Sequence, residues 1–373
     1  AMKAKNVIGL VFANVHDELI GELAAARSMA SVPFGGRYRL IDFPLSCMVN
    51  AGISNVGVIP KYNYHSLLDH LGSGKAWDLD RNSGGLSILP PYVNSDISMC
   101  TNRLKSINAI SGYLNRTKEE YVLLCDAGVV GNIDLTALLE RHAESGAEIT
   151  VAYKNGPMPQ NEGDVMALEM APGGRVQQIK MISQSGVPCN YSLNLIVMKK
   201  DLIIKLANEA VMNNKTSLWR DVFQAGVQQL NIYGYEVPGS VWVIDSPATF
   251  AKANFALLQS NVRQDIFCAE RPIYTKIRDD VPTRYGLSSK VSNSLIADGC
   301  LIEGTVENSI IFRGATVGEG TVVKNCIIMQ DCVIGKNADL AYMVLDKNVT
   351  ISDGTRMCGA ETHLTFIRKN SVV

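Results

Sequence analysis

The sequence predicts an α/β domain built on a mostly parallel sheet, followed by a left-handed parallel β-helix. Three observations carry this. From Val7 to about Leu258, short aliphatic runs alternate with longer amphipathic stretches, as when parallel strands are joined by helices. After about Val262 the helical periodicity fades. In its place a 17-residue repeat stacks Ile310–Cys326, Ile327–Met343 and Val344–Ala360 with aliphatics in register, the mark of a coil that buries its core against its own neighbours.

In chain order, Val7–Phe12, Val56–Ile59, Tyr121–Cys125, Ile149–Ala152 and Leu193–Met198 read as strands covered on both faces, because they are apolar without alternation. Asp134–Ser145, Lys200–Val211 and Leu218–Leu230 read as helices, with Asp134 or Thr136 capping the first. Ligands in such a sheet bind at the carboxyl ends of the strands. The domain is expected over residues 1–260, a linker rich in Asp, Arg and Pro over 261–290, and the β-helix over 291–373. In the repeat, Ile311, Ile328 and Leu345 form one column and Val317, Ile334 and Ile351 another. A shorter coil around Leu295–Ser309 is expected to start the stack.

Composition narrows the function. Lys+Arg and Asp+Glu number 35 and 36, so no net field draws the chain to nucleic acid or an anionic membrane. The apolar run Asn6–Ala13 is far shorter than the ~20 residues that cross a bilayer. The nine cysteines lack metal or disulfide spacing and read as reduced core thiols of a cytoplasmic protein.

Val32–Phe43 (VPFGGRYRLIDF) and Leu45–Ile53 (LSCMVNAGI) resemble the P-F-G-G-x-Y-R-L-I-D-F and L-S-N-x-x-N-S-G-I blocks of the ADP-glucose pyrophosphorylase (glucose-1-phosphate adenylyltransferase) family. Tyr62, Ser66-Leu67, His70-Leu71, Gly74, Trp77-Asp78-Leu79, Lys252-Ala253-Asn254, Ile296–Cys300 and Asn308-Ser309 extend the likeness over nearly the whole chain. The resemblance implies a Rossmann-like nucleotidyltransferase domain ahead of the β-helix. It also implies a tetramer and a place in making ADP-glucose from ATP and glucose 1-phosphate for glycogen.

That reaction requires charge neutralisation and in-line positioning, and the family supplies them with three devices. Its glycine loop G-G-x-G-x-R, which brings backbone N–H groups to the triphosphate, falls on Asn14-Val15-His16-Asp17-Glu18-Leu19. Here the glycines are gone, Leu19 replaces the arginine, and Asp17 and Glu18 are expected to repel a triphosphate. Of the two carboxylates that hold Mg²⁺, the first falls on Gly128 and the second on Val243; Asp126 and Asp245 each stand two residues away. The phosphate-binding lysine becomes Met29. Ser192 and Asp221 are candidates for a residual sugar pocket. Loss of all three devices beside intact structural blocks resembles the family's regulatory subunit type, which accompanies a catalytic subunit. No catalytic residue, metal or cofactor of its own is therefore expected.

The same resemblance points to a regulatory anion site of Arg27 and Arg39, with Arg313 as third member, for a phosphorylated effector; arginine forks suit phosphate. Homo- or hetero-tetramers are expected, because coil ends leave unpaired strand edges; the tail His363–Val373 is expected to cover part of one end. Three alternatives stand beside this reading. A competent adenylyltransferase would use Asp126 and Asp245 with Mg²⁺. A hexapeptide-type acyltransferase needs a histidine base, and only His363 lies in the β-helix half. A scaffold would bind no metabolite at all.

Overall fold

The structure is a computed structural model that describes residues 3–14, 17–91, 102–158, 166–182 and 186–373. Val7–Phe12 lies at the centre of the main sheet, parallel to Asn55–Ile59 on one side and to Tyr121–Asp126 on the other. Gly85–Ile88 extends the parallel set beyond Asn55–Ile59. Pro188–Lys199 runs antiparallel to Tyr121–Asp126 and Ile149–Pro157, and Ile232–Glu236 pairs parallel with the latter. The first strand is buried throughout because both faces are covered. Val7 and Val11 face a cluster with Leu45, Trp77 and Leu138, whereas Ile8, Leu10 and Phe12 face Leu104, Ile203 and Trp219. That two-sided burial is why the sequence shows an unbroken aliphatic run.

Leu135–Ser145 and Lys200–Met212 are helices, the first capped by Asp134, which accepts from Ala137 N at 3.2 Å. The stretch expected to be helical to Leu230 is a π-type helix only over Leu218–Gln224, where Trp219 and Phe223 are buried.

The carboxyl-terminal half winds into three parallel sheets of five strands, the left-handed β-helix expected. Ile311 pairs with Ile328 and Ile328 with Leu345; Val317, Ile334 and Ile351 stack likewise. Asn293, Asn308 and Asn325 turn one corner at φ 42°, 47° and 51°, a left-handed conformation that asparagine tolerates better than most side chains. The first coil strand is Arg284–Tyr285, paired with Leu301–Ile302. The stack thus begins two strands, Arg284–Tyr285 and Lys290–Ser292, before the coil expected to start it, and inside the stretch that composition marked as linker. The tail does not merely cover a coil end: Thr365–Ile367 pairs with Met343–Leu345 as the last strand of its sheet.

The two halves share a core. Phe34, Phe43, Phe250 and Leu257 from the sheet domain meet Ile310, Phe312, Ile327, Met329 and Val344 from the coils. Helix Pro247–Ala256, started by a Ser246/Thr249 capping box, presents Phe250 and Ala251 to this seam. Gly35 N–H donates to Asn254 Oδ1 at 2.9 Å. Gly36 sits at φ 88° against Ala297, where a side chain is strained. The P-F-G-G and K-A-N blocks are therefore the joint between the halves.

Candidate functional site

The carboxyl ends of the first strand and of Tyr121–Asp126 lie side by side, with Phe12 opposite Asp126. Beyond them, Asn14 accepts from Lys61 N at 2.9 Å and donates to Asp17 at 2.5 Å. Asp17 also accepts from Met29 N at 2.8 Å and is only 6% exposed. The sequence predicts that Asp17 faces an incoming phosphate; it is turned inward instead, because the buried Met29 N–H needs an acceptor. Burial pushes its carboxyl up to about 6, against the lowering effect of those two hydrogen bonds. Leu19 is half-buried, and Val15 lies outside the described residues.

Met29, Gly128 and Val243, remote in sequence, converge. The Met29 side chain is buried against Gly128, where an added Cβ would collide with its thioether and stand 2.7 Å from Ile244 O. Ile244 N donates to Gly128 O at 2.8 Å, and Val243 pairs with Val129. Ile20, Val32, Leu40, Val130 and Ile244 complete an apolar cluster with Met29.

The flanking carboxylates are engaged otherwise. Asp126 is held by Arg103 through Nη2–Oδ2 at 2.5 Å and Nε–Oδ1 at 3.2 Å, and that guanidinium lies 5.9 Å from the Phe12 ring centroid. Asp245 is 1% exposed; it accepts from the Thr249 hydroxyl at 3.0 Å, its Oδ2 has no hydrogen-bond partner, and burial raises it to about 6. Among the described residues, no three Asp, Glu, His or Cys side chains are grouped to hold a metal. Mg²⁺ takes oxygen ligands at fixed octahedral positions, usually one or two carboxylates besides phosphates and waters. Asp126 is bound on both oxygens by Arg103 and Asp245 is buried against Thr249, so neither carboxylate stands free for this ion and the residues present do not fit it.

A second polar site lies on the seam. Arg27 is 2% exposed, and its Nη2 contacts Asp346 Oδ1 at 2.7 Å and Oδ2 at 2.8 Å, while Nη1 has no partner. Arg39 donates to Ser66 O and Oγ at 2.7 and 2.8 Å; burial, with Arg27 adding repulsion, pulls it down to about 10. Lys347 is pulled down to about 7 by burial, then by Arg39, Arg27 and Lys369 against the single opposing Asp346. Arg313 stands away from this group. It shares a corner column with Gln330 and Lys347, as the bonds Asp331 N–Arg313 O and Asn348 N–Gln330 O show. It lies two coils from Lys347, or about 10 Å at the spacing of paired strands. Its own neighbours are Arg37, Arg278, Asp298 and Asp280, the last at 3.8 Å. The structure thus brings Arg27 and Arg39 together but gives them Lys347 and Lys369, not Arg313, as companions.

Comparison with known proteins follows this geometry. A nucleotidyl transferase family model matches residues 21–180, and a GlmU-like C-terminal hexapeptide model matches 280–364. The chain is 35% identical to "Glycogen biosynthesis protein GlgD" of Bacillus subtilis (strain 168) over 98% of its length and 96% of that protein. Its identity to the protein of the same name from Geobacillus stearothermophilus is 36% over 85% of this chain and 82% of that one. The chain belongs to the GlgD family. A more distant relative is "Glucose-1-phosphate adenylyltransferase" of Bacillus anthracis, 29% identical over 93% of each chain.

In this GlgD-family chain the pair named for a sugar pocket is occupied locally. Ser192 Oγ accepts from Asn194 N at 3.0 Å. Asp221 accepts from Thr216 N and Ser217 N and pairs with Arg220, whose hydrogen bond is the chief reason its carboxyl stays well below the usual range. Each side chain is thus held by its own neighbours in the chain, and the two do not form one pocket wall through a shared bond. Sequence reading missed Arg103, Asp346, Lys347 and Lys369. The 17-residue column that carries Arg313 also carries Lys347 and was a usable signal; nothing local marks the other three. The eight cysteines among the described residues are free thiols, and burial pushes Cys47, Cys326 and Cys332 up to about 12, which keeps them unreactive. No described helix is long and apolar enough to cross a membrane.

Proposed function

We propose that this chain is a non-catalytic regulatory subunit of glucose-1-phosphate adenylyltransferase in glycogen biosynthesis, acting on a catalytic partner in a cytoplasmic mixed tetramer. One observation carries the reading: the Met29 thioether fills the space beside Gly128 and Ile244. In the resemblance drawn from sequence, these positions are the phosphate lysine and the neighbourhoods of two metal carboxylates. Replacing three charged groups with packed hydrocarbon removes the electrostatic preorganisation on which phosphoryl and nucleotidyl transfer depends. The seam cluster of Arg27, Arg39, Lys347 and Lys369 is the regulatory anion site of this reading. Arg27 and Lys347 flank the Asp346 carboxylate and the half-buried Arg39 adds its charge beside them, and such a concentration of positive charge favours a phosphate ester.

The test is synthesis of ADP-glucose from ATP and glucose 1-phosphate with Mg²⁺ by the purified chain, alone and mixed with a catalytic subunit. The expected result is no measurable turnover alone and altered rate or effector response in the mixture. Ordinary turnover by the isolated chain, abolished by Asp126→Asn or Asp245→Asn, refutes the proposal and supports a competent enzyme with displaced ligands.

A further inference from the structure

The seam cluster already holds an anion of its own. Asp346 directly follows the strand Met343–Leu345, and its carboxylate receives Arg27 Nη2 on both oxygens and Lys347 N on Oδ1 at 2.7 Å. It is 2% exposed. One carboxylate does not satisfy its surroundings. Arg27 Nη1 is buried without a partner, and the neighbouring Lys347 ammonium feels the charges of Arg39 from the sheet domain, Arg27, and Lys369 from the tail. The acids nearest Arg39 are Asp42 and Asp69, and Asp42 is already engaged, accepting from Arg39 N at 2.9 Å and from His70.

We propose that Asp346 is an internal competitor of this site, occupying Arg27 until an external dianion of the phosphate class displaces it. The inference rests on the anion-site reading above. Its logic is electrostatic. An external carboxylate only repeats the charge that Asp346 offers and also loses its translational freedom on binding. A phosphate dianion carries more charge and three acceptor oxygens, enough to reach Nη1 and the lysine ammonium groups together. Displacement also releases the tie between residues 27 and 346, one on each side of the domain seam. Occupancy of the site is thereby coupled to how the halves are joined, the differential contact that regulation requires.

The experiment measures binding of inorganic phosphate to the full chain by calorimetry, with acetate as the carboxylate control, for wild type, Asp346→Asn and Arg27→Ala. Asp346→Asn keeps the shape and an acceptor for Arg27 while removing the charge. It is expected to tighten phosphate binding about tenfold, ~1.4 kcal/mol, and to leave acetate weak. Arg27→Ala is expected to abolish binding. Thermal melts without phosphate report whether each variant is folded. If wild type binds phosphate and folded Asp346→Asn binds it equally or more weakly, the competitor role is wrong and the anion site stands. Absence of binding in both overturns the anion site and this inference together. Binding by Asp346→Asn alone supports both.

Discussion

Gly128 offers the sharpest perturbation. A Cβ there meets the Met29 thioether and comes within 2.7 Å of Ile244 O. The methionine is the end of a flexible chain and can yield. The carbonyl cannot, because Ile244 N is bonded to Gly128 O at 2.8 Å and Val243 is paired with Val129. Overpacking of this kind costs ~1–3 kcal/mol, so Gly128→Ala should lower the melting temperature by roughly 2–12 °C. Gly128→Asp, which restores a carboxylate, should cost more, since its charge enters an apolar cluster without a partner. Adding Met29→Ala to Gly128→Ala should recover part of the loss, a non-additivity above about 0.5 kcal/mol in a thermal or urea double-mutant cycle. A Gly128→Ala protein that melts like wild type, or a strictly additive double variant, would refute the idea that Met29 has closed this site.

Three further outcomes are expected. Asp245 is raised from 3.8 to about 6 by burial, so the folded chain holds a proton that the unfolded chain has released. Stability from this group is present below about pH 4 and lost as pH rises through about 6; Asp17 shifts in the same direction. Asp245→Asn should therefore raise the melting temperature relative to wild type more at pH 7.5 than at pH 5, and the reverse order would contradict this. Arg27→Ala with Arg39→Ala should remove any phosphate-ester effect on melting temperature, or on the mixed enzyme, without preventing assembly; an unchanged response would place the regulatory site elsewhere. Light scattering should find a mass well above 40.5 kDa, alone or with a catalytic subunit. The strand edges of the first coil and the exposed Tyr285 and Leu287 need a neighbour, and a lone monomer at micromolar concentration in both samples would count against it.

Much of the fold was legible. The columns Ile311–Ile328–Leu345 and Val317–Ile334–Ile351 stack in the register read from the repeat, because a coil's period sets which residues meet. The two extra first strands at Arg284–Tyr285 and Lys290–Ser292 were not legible, since their residues are exposed and, Val291 apart, not aliphatic. The Asp17 orientation escaped the sequence for a related reason: which way a short carboxylate turns depends on a donor twelve residues later, the Met29 N–H. Asp126 and Asp245 look alike in sequence, yet one is locked by Arg103 and the other has an oxygen without a partner.

The sequence by itself determined most of the elements, the order of the two halves and the family, for these follow from local periodicity and from blocks that must keep glycine, asparagine or aromatic residues at a joint. Only the tertiary structure decided what stands beside what. Met29 against Gly128 and Arg27 against Asp346 join residues distant in the chain. Their energies come from burial and from charges placed within a few ångströms. Neither quantity exists until the sheet and the coils have packed together.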